Sequence, residues 1–287
     1  MASTAAAALG SRPPSTGAAA PSSAARAGSA GTPNGGNAAA TEAAGAAAAA
    51  PVDEALTGQQ VTWAMHASQA DALTGKKPRR QPIYSVDVHP DGTRFATGGR
   101  DPLVKIWNLR AALDPALEAD PATPRLLAAL TGHSGVVLAV RFSPDGRYLA
   151  SGSDDQRIFI HALRDGPAGL PSFGVEASTE NWAVVQRLSG HETDVVDLAW
   201  SRDGRLLASC GLDSAVNIWD MTTYRRVAKL SDHTSAVKGV AWDPSGVLLA
   251  TQSDDNTVKL WKRREHEWEC VQSLSAPTRD NFVTRLG

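Results

Sequence analysis

The sequence predicts an all-β propeller fold, and three observations carry that prediction. One turn pattern recurs four times. A set of polar and aromatic residues stands at constant offsets from each turn. Between the turns lie short runs that alternate apolar and polar. The turns read His89-Pro90-Asp91-Gly92, Ser143-Pro144-Asp145-Gly146, Ser201-Arg202-Asp203-Gly204 and Asp243-Pro244-Ser245-Gly246. Fifteen residues after each turn glycine stand Trp107, His161, Trp219 and Trp261. Six residues before each of these is an aspartate: Asp101, Asp155, Asp213 and Asp255. Four residues before each aspartate is a hydroxyl: Thr97, Ser151, Ser209 and Thr251. In three copies a histidine precedes the aromatic position by 28 residues: His133, His191 and His233. Chance does not hold such offsets through four copies, so the repeat is the organising unit of the chain.

Each copy then divides into four short strands. First strands are Tyr84–Val88, Val195–Trp200 and Val237–Trp242, and second strands are Arg147–Ser151 and Arg205–Ser209. Third strands are Val104–Trp107, Val216–Trp219 and Val258–Trp261, and outer strands are Arg125–Leu130, Ala183–Leu188 and Val227–Leu230. Four antiparallel strands per repeat of about 40 residues is the pattern of a WD40 β-propeller blade. No helical period is visible in this region. The first copy has no clear Gly-His pair, and Trp63-Ala-Met-His66 is the candidate for its lead-in strand. The second copy has His161 in place of tryptophan; an imidazole N–H still donates there, so that blade is expected to form on a weaker anchor.

The repeated polar residues are expected to form a buried hydrogen-bond chain in each blade. The aspartate sits in the turn between second and third strands and accepts from backbone N–H groups and from histidine. The hydroxyl and the indole extend the chain, so that buried polar atoms are paired. Ser209, His191 and Asp213 also have the composition of a catalytic triad. The same trio recurs in other blades, as a structural device does and a single active site does not. A histidine metal site fails for the same reason. No catalytic, cofactor-binding or metal-ligating residue is expected, no cofactor is implied, and the chain is not expected to be an enzyme.

Composition sets the limits around this core. The chain has 287 residues, 42% hydrophobic and 20% charged, with a formal net charge of −2. A strong basic field for gripping nucleic acid is absent, so no direct sequence-specific nucleic-acid binding is expected. Two cysteines, Cys210 and Cys270, exclude a disulfide framework and a four-cysteine zinc site. No apolar run approaches the roughly 20 residues that span a bilayer, so no membrane partner is expected. Residues 1–50 contain 22 alanines, and no aromatic residue precedes Trp63. Such a stretch buries too little apolar surface to offset its ordering entropy, so residues 1–60 are expected to be a disordered tail. An organellar transit peptide is the alternative for the tail. Residues 61–82 form a lead-in with a basic run, Lys76-Lys-Pro-Arg-Arg80, that matches a short nuclear-import patch or a solvated linker. Residues 83–287 carry the WD40 repeats.

Several stretches of the repeats resemble the HIRA family of WD40 histone-chaperone subunits, nearest to its plant and algal members. They are Arg94–Gly99, Arg125–Leu130, Gly146–Gln156 with Ile160-His161, Glu180-Asn-Trp182, Asp194–Trp200, Val237–Pro244 and Ala250–Asp255. The resemblance covers residues 83–287, about 70% of the chain. The WD40 subunit of chromatin assembly factor 1 shares part of the pattern. Gly166-Pro167, Phe173-Gly174 and Gln252-Ser-Asp-Asp255 favour HIRA. The resemblance implies a nuclear, non-enzymatic scaffold for replication-independent deposition of histones H3–H4 with a replacement H3 variant, and for transcriptional regulation. Its implied partners are a ubinuclein-like subunit, other members of the chaperone complex and, through the complex, H3–H4. A generic WD40 adaptor such as a ubiquitin-ligase substrate receptor is the reading from another class. The insertions at 111–124 and 164–181 are the expected contact loops. The family's ring has seven blades, and this sequence supplies four plus the start of a fifth at Phe282–Gly287. It therefore reads as a fragment, a splice product or a truncated gene, whose open arc with two exposed sheet edges is expected to self-associate.

Overall fold

The structure is a computed structural model. It describes residues 66–67 and 80–275, except 119, 121, 170–174, 176 and 266. The expected tail, most of the lead-in and the expected start of a fifth blade lie outside the described residues.

Four four-stranded antiparallel sheets follow one another along the chain, each with its strands in sequential order. A separate short ladder pairs β1 (His66–Ala67) with β2 (Arg80–Gln81). The first blade comprises β3 (Ile83–Val88), β4 (Arg94–Gly99), β5 (Val104–Asn108) and β6 (Leu126–Leu130). The second comprises β7 (Val137–Phe142), β8 (Tyr148–Ser153), β9 (Arg157–Leu163) and β10 (Trp182–Ser189). The third comprises β11 (Val195–Trp200), β12 (Leu206–Gly211), β13 (Val216–Asp220) and β14 (Arg225–Leu230). The fourth comprises β15 (Val237–Trp242), β16 (Leu248–Ser253), β17 (Thr257–Arg264) and β18 (Glu267–Ser275). The WD40 propeller architecture read from the repeat is the one the chain adopts.

Two sequence expectations need correction. Of the candidate lead-in strand only His66 is described, and it pairs with Gln81 in the separate ladder, while the four strands of the first blade all come from residues 83–130. Helical structure is also present, as two turns at Leu109–Leu113 and Pro115–Glu118 in the first insertion. Asn108 starts the first of these, its Oδ1 accepting from the N–H groups of Arg110 and Ala111. A five-residue helix is too short to show a period in sequence.

Turn chemistry explains why the strands break where they do. Gly92, Gly146, Gly204 and Gly246 all have φ near +70°, which a side chain strongly disfavours. Each closes its turn by donating its N–H to the carbonyl of the first turn residue. In the first three turns the aspartate Oδ1 accepts from the N–H two residues on, Thr93, Arg147 and Arg205 respectively.

A register shift recurs at the same place in every first-to-second strand pair, as between Val137 and Ala139. The bulge puts Val137, Val140 and Phe142 on one buried face. They pack on Ala96, Val104, Ile106 and Ala128 of the first blade. Val195, Leu198 and Trp200 meet Ala150, Ile158 and Ile160 in the same way, and Val237, Val240 and Trp242 meet Ala208, Val216 and Ile218. The core is therefore three equivalent joints between blades. The corresponding residues of the first blade, Ile83, Val86 and Val88, are 39–55% exposed.

Polar stitches cross these joints. Ser85 Oγ of the first blade accepts from Val140 N–H at 3.0 Å and from the Arg141 guanidinium at 2.8 Å in the second. Arg141 in turn reaches Asp197 of the third blade at 2.6 Å. The Trp200 indole donates to the Arg141 carbonyl, and that of Trp242 to Ala199. Ser85→Ala leaves the buried Val140 N–H without this acceptor, so a loss of about 1–2 kcal/mol in chemical denaturation is expected. An unchanged midpoint would show that the stitch contributes nothing.

Candidate functional site

An antiparallel meander sorts its loops by end. Turns between second and third strands lie at one end of each blade, with the connections into the next blade. Turns between first and second strands, and between third and fourth, lie at the other. The repeated histidines and aspartates belong to the first end. Both long insertions belong to the second.

At the first end, the structure brings the predicted sets of the second, third and fourth blades together. In the third blade His191 Nδ1 lies 3.0 Å from Asp213 Oδ2 and Nε2 lies 2.8 Å from Ser209 Oγ, to which the Trp219 indole donates at 2.9 Å. In the fourth blade the distances are 2.8 Å from His233 to Asp255, 2.7 Å from His233 to Thr251, and 2.9 Å from Trp261 to Thr251. The first blade differs. Trp107 donates to Thr97 at 2.7 Å, and Asp101 is buried with the Lys105 ammonium 3.9 Å away. The residue at the histidine offset there, Arg79, lies outside the described residues.

Proton bookkeeping gives these chains a direction. The carboxylate accepts from Nδ1–H, so a neutral imidazole has a bare Nε2 that accepts the hydroxyl proton. The hydroxyl oxygen then accepts the indole N–H. The third and fourth blades thus each run one way, from Trp through Ser or Thr and His to Asp. Burial opposes the charged form of Asp213, yet donation from His191 and the Glu192 N–H outweighs it and holds the carboxyl below the usual carboxylate range. Asp155 and Asp255 are lowered by the same balance. Ser209 is fully buried and the histidines nearly so. The nucleophile of the would-be triad is closed to any substrate in this packing.

The second blade repeats the circuit with different parts. His133 meets Asp155 at 2.9 Å and Ser151 at 2.8 Å, and His161 Nε2 lies 3.0 Å from Ser151 Oγ. With the hydroxyl proton on His133, His161 must donate from Nε2, as an indole would. Its buried Nδ1 is left without a hydrogen-bond partner. Phe159, two residues earlier on the same strand face, supplies the missing aromatic bulk. It stacks on His133 with ring centroids 4.2 Å apart and planes at 10°. The exchange of Trp for His at 161 was legible in the repeat. The compensation by Phe159 was not, because that position has no fixed type in the other blades.

At the second end, residues 178–180 of the 164–181 insertion bind back across a joint. Thr179 and Glu180 donate their N–H groups to the Leu127 carbonyl, and Ser178 Oγ accepts from Ala129 N–H. Glu180 then bridges the blades, accepting the Trp182 indole at 2.7 Å and standing 3.3 Å from Arg94. Beside this bridge a groove of about 360 Å3 opens between the first two blades. Arg94, Arg147, Tyr148, Leu163 and Trp182 line it. Among the described residues no group of three or more His, Cys, Asp or Glu is arranged to hold a metal ion. No described helix is long and apolar enough to cross a membrane. Cys210 and Cys270 are both free thiols, and burial pushes the Cys210 thiol up.

Repeated bladed sheets with an internal polar circuit, and loops gathered at two ends, define the class of WD40 propeller modules. The family described as the CAF1B/HIR1 β-propeller domain matches residues 77–282, and the chain belongs to it. Relatives include Protein HIR1 of Cryptococcus neoformans, 50% identical over 153 residues, which are 53% of this chain and 17% of that protein. Protein HIR1 of Mycosarcoma maydis is 45% identical over 153 residues, 53% of this chain and 15% of that protein. Protein HIRA of Oryza sativa subsp. japonica is 48% identical over 141 residues, 48% of this chain and 14% of that protein. The matched stretch thus spans less than a fifth of these relatives' length. The resemblance to the HIRA family drawn from the repeats agrees with these matches.

Proposed function

We propose that the chain is the WD40 scaffold of a HIRA-type histone-chaperone complex in the nucleus. In this reading it takes part in replication-independent deposition of H3–H4 carrying a replacement H3 variant, and in transcriptional regulation. It performs no catalysis. Its work is to hold loops on a rigid frame for a ubinuclein-like subunit and, through the complex, for histones. The observation that carries the reading is the family match across four blades whose relatives bear the HIR1 and HIRA names. The polar circuits support it from the side of chemistry: the His-Ser/Thr-Asp sets recur in three blades and are buried, so we assign them to structure.

The matched family also includes the WD40 subunit of chromatin assembly factor 1 by its description, which keeps that protein as the second reading. Affinity purification of the tagged chain from its own cells, with DNA synthesis blocked, separates the two. Recovery of a ubinuclein-like subunit with H3–H4 is expected. Recovery of the replication-coupled factor's other subunits would move the assignment to the second reading, and recovery of neither would overturn both.

A further inference from the structure

Each joint between blades brings together two unlike faces, and the first and fourth blades leave one of each kind open. The first kind is the bulged first strand. Val137, Val140 and Phe142, with their counterparts in the third and fourth blades, are at most 8% exposed. The first blade has the same strand with the same bulge, between Ile83 and Ser85, but there Ile83, Val86 and Val88 are exposed. The second kind is the sheet face that receives such a strand. Ala96, Val104 and Ile106 form it in the first blade, and Ala208, Val216 and Ile218 in the third, all fully buried by the blade that follows. Ala250, Val258 and Leu260 hold the same register in the fourth blade, with Ala250 opposite Leu260 as Ala208 is opposite Ile218. They are only half-buried and line an apolar hollow of about 380 Å3. Leu274, beside them, is 47% exposed, whereas Leu130, Leu188 and Leu230 at the same place in the other blades are 2–7% exposed. Contiguous apolar faces left open in this way mark association surfaces.

We propose that a second copy of this chain closes both faces at once: β3 of each copy docks on the β16–β17 face of the other, in a joint equivalent to the three inside the chain. The contact is heterologous, and contacts of that kind end in a closed ring only when the rotation they impose comes round. Two copies bring eight blades, within the four to eight that propeller rings use. The polar stitch is no obstacle. Gly239 stands where Ser85 and Asp197 supply an acceptor in their blades, and Ala139 at that position in the second joint shows that an acceptor there is dispensable. The competing occupant is the chain's own residues 283–287, in which Val283 and Leu286 repeat the spacing of Val237 and Val240. Those residues would cover the fourth blade alone and leave Ile83, Val86 and Val88 in water. A second copy covers both faces with one kind of contact, and the balance of buried apolar surface favours it. This inference concerns how copies associate. It does not depend on the histone-chaperone reading, and its failure would leave that reading intact.

The test is sedimentation velocity on the full chain over a dilution series, where a monomer–dimer equilibrium is expected. Val86→Glu alters only the strand face and Leu260→Glu only the sheet face. Each variant alone is expected to dimerise about tenfold or more weakly than the unaltered chain, because every joint it can form contains one altered face. A mixture of the two can form one joint with both faces intact, so a one-to-one pair is expected to reappear, which also shows that both variants fold. Val227→Glu, at an exposed apolar position on the outer strand β14, is the control and is expected to dimerise as the unaltered chain does. A chain that stays monomeric throughout, open-ended growth past the dimer, an equal loss in Val227→Glu, or a mixture that stays monomeric would overturn the proposal. So would a chain that dimerises only after Val283→Glu and Leu286→Glu are combined, since that outcome assigns the fourth-blade face to residues 283–287.

Discussion

Asp213→Ala is expected to cost about 3 kcal/mol of folding free energy, through the loss of a charged acceptor that three donors share. His191 Nδ1 lies 3.0 Å from the carboxylate, Glu192 N–H 3.0 Å and Ala215 N–H 3.2 Å. The side chain is 5% exposed, so water cannot replace it at most of these contacts. Removing it also frees the His191 proton to shift to Nε2, which would set two donors, imidazole and indole, against Ser209 Oγ. The loss therefore propagates to Trp219 in the joint with the second blade. Asp232→Ala, at an exposed position, is the matched control. Asp203 is a poorer one, because it holds Ser201 Oγ at 2.6 Å and Arg205 N–H at 3.1 Å in its own turn. Equilibrium denaturation of both variants decides the matter. A midpoint shift for Asp213→Ala no larger than that for Asp232→Ala would refute a buried, shared carboxylate.

Most of the fold was legible because the repeat states it four times. The turn glycines mark where the chain must enter the left-handed region, and the strands follow from the alternation between them. The offsets from His191 to Ser209, Asp213 and Trp219 placed that circuit before any coordinate. What the sequence hid are contacts made by residues whose type does not repeat. Ser85 and Asp197 share one strand position and accept from Val140 and Val240 N–H of the next blade, yet that position holds Ala139 and Gly239 in the other two blades, and Ala199 and Ala241 stand at the position of Arg141 in theirs, so no fixed residue type announces the stitches. Glu180 and Trp182 could be read as part of a family resemblance, but their junction with Arg94 joins residues 86 positions apart. The groove arises from such junctions. It needs two blades side by side and an insertion folded back on the first of them. Periodicity reports the blade and is silent about the joint.

Acid should test the second blade through its buried imidazoles. Burial, with the nearby His133 adding to it, lowers the pKa of His161 from 6.5 to about 3. Between those values the unfolded chain holds a proton that the folded chain refuses. The stability tied to the neutral imidazole is thus fully present above about pH 6.5 and is lost as pH falls toward 3. His133 is lowered too, by burial working against its pairing with Asp155, and acts in the same direction. The circuit carboxylates Asp155, Asp213 and Asp255 are held below the usual range, so their contribution is present above about pH 4 and fails only below it. The interval from pH 6.5 to 4 therefore isolates the histidines. One proton is worth about 1.4 kcal/mol per pH unit, so His161 removes up to about 3 kcal/mol across that interval. His161→Gln keeps an N–H for Ser151 Oγ and does not titrate. It is expected to be less stable than the unaltered chain at pH 7.5, where the smaller side chain packs less well against Phe159, and to lose less stability on acidification. Denaturation at half-unit steps should show the two stability curves converging as pH falls. Parallel curves would mean that the folded chain takes up a proton at His161 as readily as the unfolded chain does, and would overturn the argument.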